Sequence, residues 1–141
     1  MENTSTTLHG FDFYFSADLW ITILVATCLC VVCVLFHYEM FSLLGRGMQR
    51  ARGRIRIVYV ILGLMLVHTV EIWLFAIAYY LLAKANIGAL AGVHGNVLYD
   101  HVYYSAAVYT TVGFGDIVPL GTFKLLTGTE ALVGLGLITW S

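Results

Sequence analysis

Two long apolar runs constrain this chain more than any other feature. Leu19 to Phe36 carries no charged residue, and apolar character continues through Met40 and Phe41 to Leu44. Ile57 to Ala83 is a second run, broken by His68 and Glu71. A helix needs about 20 apolar residues to cross the hydrocarbon of a bilayer. A third stretch of that length, Leu120 to Trp140, contains Lys124 and Glu130. The chain has 141 residues, 60% hydrophobic and 11% charged, which is one domain's length and far from soluble-domain averages. These observations predict an all-α membrane protein with three transmembrane helices. A formal net charge of −1 excludes nucleic acid as a natural partner.

The stretch between the second and third spans, Lys84 to Pro119, is too rich in Gly and polar residues to cross alone. Within it, residues 99–109 have helical spacing, with Asp100 available as an N-cap. At about 1.5 Å per residue such a helix covers roughly half of the hydrocarbon and must turn back. Irregular backbone at membrane depth is tolerated where it is buried in protein or lines a water-filled path. The segment that follows, Thr110-Thr111-Val112-Gly113-Phe114-Gly115-Asp116, suits that place. Rings of backbone carbonyls can replace the hydration shell of a potassium ion. Turning successive carbonyls to one side requires alternating dihedrals, some with positive φ, which glycine adopts at little cost. Gly113 and Gly115 are expected at those places. The Thr111 hydroxyl is available as an innermost ligand ring, with Val112 and Phe114 packing behind the ions.

Sidedness follows from the basic residues. Arg46, Arg50, Arg52, Arg54 and Arg56, of seven Lys and Arg in all, lie in the loop between the first two spans. Short loops rich in Lys and Arg stay cytoplasmic. The amino terminus and the 84–119 loop are then outside. A voltage sensor would place basic residues every third position inside a span. These arginines instead alternate beside glycines, and topological retention accounts for them. The first run lacks a basic n-region, so a retained helix is expected rather than a cleaved leader. Residues 1–18 read as an extracellular, interfacial segment with Phe11, Phe13, Tyr14, Phe15 and Trp20 as aromatic anchors. Residues 19–44 are the first span and 45–56 the basic loop. Cys28, Cys30 and Cys33 share the first run with no nearby partner for a metal, and read as membrane packing.

Thr110 to Asp116 resembles the T-T-V-G-Y-G-D signature of the potassium channel superfamily, with Phe114 at the tyrosine position. Residues 57–141 resemble its two-span pore module: outer helix 57–83, pore helix 99–109, filter 110–116 and inner helix 120–141. The resemblance implies a pore-forming subunit of a homotetramer in a prokaryotic plasma (inner) membrane, in contact with membrane lipids. It implies potassium ions held at Thr111, Val112, Gly113, Phe114 and Gly115, and no organic cofactor. Residues 1–56 are an addition to that module. The chain departs from the family's pattern behind the filter. Tyr103 and Tyr104 stand where tryptophans often clasp the tyrosine, and with Thr110 and Asp116 they are the expected filter supports. Ala107 occupies the place of a glutamate that partners the aspartate in some members, so Asp116 is expected to lack that partner.

Three further expectations concern the spans. Gly134 and Gly136 lie where an inner helix often bends, and close helix packing is the equal alternative. Glu71 and Glu130 lie at similar depth, and ionisable residues there normally face a partner inside the protein. With His68 one turn from Glu71, these three are expected to form one buried cluster. The last span ends at Ser141 with barely enough length to cross, which reads as a fragment of a longer chain. Competing functions are a non-selective cation channel and a non-conducting accessory or signalling subunit. An enzyme is disfavoured: His9, His37, His68, His94 and His101 show no H-E-x-x-H spacing, and no nucleophile motif is visible. In the outer loop, His94 and His101 read as solvated or as sensors of external pH.

Overall fold

The computed structural model describes residues 17–48, 53–93 and 97–141. The aromatic anchor residues 11–15, together with His9, Arg50, Arg52 and His94, lie outside the described residues. Four helices and one two-stranded ribbon follow in the order α1 (Ala17–Met48), α2 (Arg54–Lys84), β1 (Ala89–Ala91), α3 (Val97–Tyr109), β2 (Val118–Leu120) and α4 (Phe123–Trp140).

α1 and α2 are the two helices long and apolar enough to cross a membrane, with mean hydropathies of 2.8 and 2.2. In those windows 17% and 22% of the residues are buried within the chain. A core helix of a soluble protein would be mostly covered, so these apolar surfaces are built to meet something other than water. Both helices extend past the apolar run. α1 opens with Asp18 and closes with Arg46, each placed favourably against the helix dipole. Inside α1, the hydroxyls of Thr22 and Thr27 donate to the carbonyls four residues back, at 2.7 and 2.8 Å. These bonds satisfy the polar groups without interrupting the helix. Cys33 is fully buried in the core, Cys30 half-buried and Cys28 exposed.

The core runs through all four helices: Ala26 and Cys33 of α1, Phe75, Tyr79 and Leu82 of α2, Tyr104 and Tyr109 of α3, and Phe123, Leu126, Val133 and Leu137 of α4. α3 packs on α2 and α4. α1 packs against both α2 and α4, which meet each other only slightly. The first helix, an addition to the 57–141 module, therefore packs into the same core as that module.

Two boundaries also differ from expectation. α3 begins at Val97, which puts Asp100 in its first turn rather than at the cap. α4 begins at Phe123 rather than at 120, because Val118–Leu120 pairs antiparallel with Ala89–Ala91, with Leu90 opposite Pro119. The fold is thus all-α apart from this ribbon. Proline is tolerated there because each strand of a two-stranded ribbon is an edge. Gly92 has φ 89°, and a Cβ on it would run into the backbone carbonyl of Asp116. That close approach ties the ribbon to the end of the 110–116 loop.

Candidate functional site

Residues 110–116 leave the C-terminal end of α3 and are exposed along their whole length. Their backbone is fixed at its start by the orphan carbonyls of the helix. The amides of Thr110, Thr111 and Gly113 donate to the carbonyls of Ala106, Val108 and Ala107 at 3.1, 2.9 and 3.0 Å. From there the hand of the backbone alternates. Thr111, Gly113 and Gly115 have φ of 60°, 55° and 81°, whereas Val112 and Phe114 keep negative φ. Positive φ was expected at the two glycines. At Thr111, a β-branched residue, it is an outlier of the kind that gathers at functional sites.

The flanking side chains divide the work. Phe114 stacks on Tyr103 with ring centroids 6.1 Å apart and planes 8° from parallel. Tyr103 also donates its hydroxyl to Asp116 Oδ2 at 2.9 Å. Asp116 therefore has a partner in place of the missing glutamate, supplied by a tyrosine one turn before the Ala107 position. That bond holds the Tyr103 hydroxyl above its ordinary pKa range. Tyr104, expected beside the loop, turns the other way: its hydroxyl lies 2.7 Å from Thr127 Oγ1 of α4, and its ring meets Tyr79 edge-on. Val112 is 57% exposed within the single chain and Phe114 68%. His101 is buried in α3 with its ring edge-on to Tyr80, so it is not a solvated loop histidine.

Behind the loop lie two buried carboxylates that share no hydrogen bond among the described residues, which corrects the expectation of one cluster. Glu130 of α4 accepts from Tyr79 of α2 at 2.8 Å and is bonded to Ser105 of α3. Ser105 also reaches the carbonyl of Ile72 at 2.8 Å. Glu71 of α2 takes a different set. Its Oε1 is 3.0 Å from His37 Nδ1 on α1, and its Oε2 is 3.0 Å from His68 Nδ1 one turn away. Tyr109, the last residue of α3, donates to the same Oε2 and lies 3.2 Å from His68 Nδ1. Depth along the helices is similar for the two acids, but they face different neighbours. His37, Tyr109, Tyr79 and Ser105 are absent from the sequence-based site. The available signal was His37 itself, a polar side chain inside a predicted span, where polar groups need partners.

Gly134 and Gly136 also separate. Gly134 is buried, and a Cβ there would strike the backbone carbonyl of Tyr109, so the residue lets α4 approach the end of α3. A Cβ on Gly136 would meet nothing within 4 Å.

Two apolar helices of spanning length, with a short helix packed on the second that ends in a loop of alternating backbone hand, fit a membrane protein of the ion-channel type. Residues 67–141 match the family described as ion channel, more than half of the chain, and the chain belongs to that family. Comparison with curated proteins and with solved structures gives no match.

Proposed function

We propose that this chain is the pore-forming subunit of a potassium-selective channel, with residues 110–116 as the selectivity filter and α3 as its pore helix. The observation that carries the reading is the alternation of backbone hand at Thr111, Gly113 and Gly115 within the sequence T-T-V-G-F-G-D. Residues of alternating hand turn successive carbonyls to one side, the arrangement that a dehydrated cation requires. Ions would be held by the carbonyls of Thr111, Val112, Gly113 and Phe114, with Gly115 completing the outer turn. In such a pore α2 is the outer helix and α4, about 27 Å long at 1.5 Å per residue, the inner helix and third span. The C-terminal end of α3, partly negative, favours a cation beneath the filter.

A single chain supplies one filter strand, and a carbonyl cage needs four. The bare loop fits this, as do Leu125, Leu132 and Leu135 of α4, exposed apolar residues that other copies would cover. The subunit is accordingly a homotetramer in the plasma membrane of a prokaryote, with lipid around α1 and α2. The arginines from Arg46 to Arg56, at the junction of α1 and α2, are cytoplasmic, and the amino terminus and ribbon outside.

The test is reconstitution of the purified chain alone in liposomes loaded with potassium. Potassium-driven flux and a detergent-solubilised protein mass of about four times 15.6 kDa are expected. Absence of flux from a correctly inserted protein would favour the accessory-subunit reading, and a stable dimer would exclude a four-stranded cage.

A further inference from the structure

We propose that His37, His68 and Glu71 form a binding site for a divalent transition metal of the zinc class, which clamps α1 to α2 beside the base of the filter. The three ligand atoms lie within 4.8 Å of one another. Each Nδ1 is 3.0 Å from a different oxygen of the one carboxylate. Zinc binds imidazole nitrogen and carboxylate oxygen at about 2.0–2.2 Å, which sets neighbouring tetrahedral ligands about 3.3 Å apart. The two N···O pairs would open by a few tenths of an ångström to admit the ion, and the imidazoles, with ring centroids 5.3 Å apart, would close on it. The Tyr109 hydroxyl, 3.2 Å from His68 Nδ1, stands at the fourth position, as ligand or as partner of a bound water.

The donor chemistry selects the ion. Two imidazoles and a carboxylate suit zinc and its neighbours in the first transition row, and suit potassium and magnesium poorly. His68 and Glu71 share a face of α2 as an i,i+3 pair, and His37 comes from the facing helix. Cys33, one turn before His37 and fully buried, adds a soft donor to the same face of α1 without belonging to the group of three. The ring nitrogens that remain fit unequally. His68 Nε2 lies 3.4 Å from Ser141 Oγ, the outer contact typical of a metal-bound histidine.

Glu71 and His37 are 0% and 1% exposed, so their ligand atoms face one another inside the protein. His37 Nε2 is buried with no hydrogen-bond partner among the described residues, so it lacks the outer contact that a metal-bound histidine usually makes. A cavity of about 210 Å³, lined by His37, Tyr38, Phe41 and Trp140, borders the site.

The experiment is a cobalt titration of the full-length, detergent-solubilised protein after removal of metal with a chelator. The visible absorption of four-coordinate cobalt is the readout, and zinc is the competitor. Uptake is expected to saturate at one ion per chain and to be displaced by zinc. His37→Gln and His68→Gln should each weaken binding by more than the ~10–100-fold that loss of a supporting contact costs. Glu130→Gln, in the other carboxylate cluster, should leave uptake intact. Helical parent protein that takes up no cobalt would overturn the proposal whatever the variants do. Uptake undiminished in His37→Gln would overturn it equally. Either result leaves Glu71 as the centre of a hydrogen-bonded clasp.

Discussion

The back of the 110–116 loop and its front are built on opposite terms. Behind it, every helix is tied to another through a buried carboxylate: α1, α2 and α3 by Glu71, and α2, α3 and α4 by Glu130. In front, seven consecutive residues of the same chain stand exposed. On the proposed reading, the scaffold is completed within one chain, whereas the exposed loop is left for other copies to complete. Damage behind the loop should therefore register as lost stability, and damage in front as lost conduction from an intact fold.

Gly113→Ala should give the largest separation of the two. A Cβ there meets nothing within 4 Å, so the single chain loses only the positive-φ preference, about 1–2 kcal/mol. The strain would rotate the carbonyls that the reading assigns to potassium, so flux should vanish while helicity and assembly persist. Unchanged flux would place the ion path elsewhere.

Glu130→Ala should do the reverse. It removes the common partner of Tyr79 and Ser105 and leaves a cavity, at a cost of roughly 3–5 kcal/mol, seen as a lower thermal midpoint in detergent. Glu71→Gln and Glu130→Gln sharpen the division behind the loop. Two separate clasps predict that the double variant loses the sum of the single losses within about 0.5 kcal/mol, whereas one joined cluster would show a larger coupling.

The two glycines of α4 provide a smaller contrast. Gly134→Ala should lose about 1–3 kcal/mol through contact with the Tyr109 carbonyl. Gly136→Ala should be neutral or gain up to about 1 kcal/mol from helix propensity. A Gly136→Ala protein that assembles but fails to open would identify a hinge there.

The smallest effect is expected from Tyr103→Phe, which keeps the ring stack on Phe114 and deletes the bond to Asp116. Because that bond raises the Tyr103 pKa, it is present below tyrosine's ordinary range and is lost as pH climbs through the raised value. At neutral pH the variant should lose open-state lifetime without losing assembly. On the alkaline side, parent and variant should converge.

The sequence made some of this legible and hid the rest for identifiable reasons. The apolar runs located α1 and α2 because a bilayer demands both length and the absence of charge. The glycines located the loop because positive φ is costly for other residues. Thr111 broke that local rule, since the amides around it are held by the last carbonyls of α3. The β1–β2 ribbon was hidden because it pairs three residues with three others far along the chain. His37 and Glu71 are 34 residues apart, and only the packing of α1 on α2 brings them together. Depth put Glu71 and Glu130 at one level, but the direction each faces about its helix axis separated them, and helical rise does not report direction. Tyr103 reached Asp116 because a long aromatic side chain spans what an alanine at position 107 leaves open.

The central claim is that residues 111–115 distinguish potassium from other cations. Its most direct test is the reversal potential of the reconstituted protein with potassium on one side and sodium on the other. The account predicts a potential close to that of a membrane permeable to potassium alone, with little change when sodium is replaced by a large impermeant cation. A reversal potential near zero in equal potassium and sodium would contradict it and make the pore a non-selective cation channel.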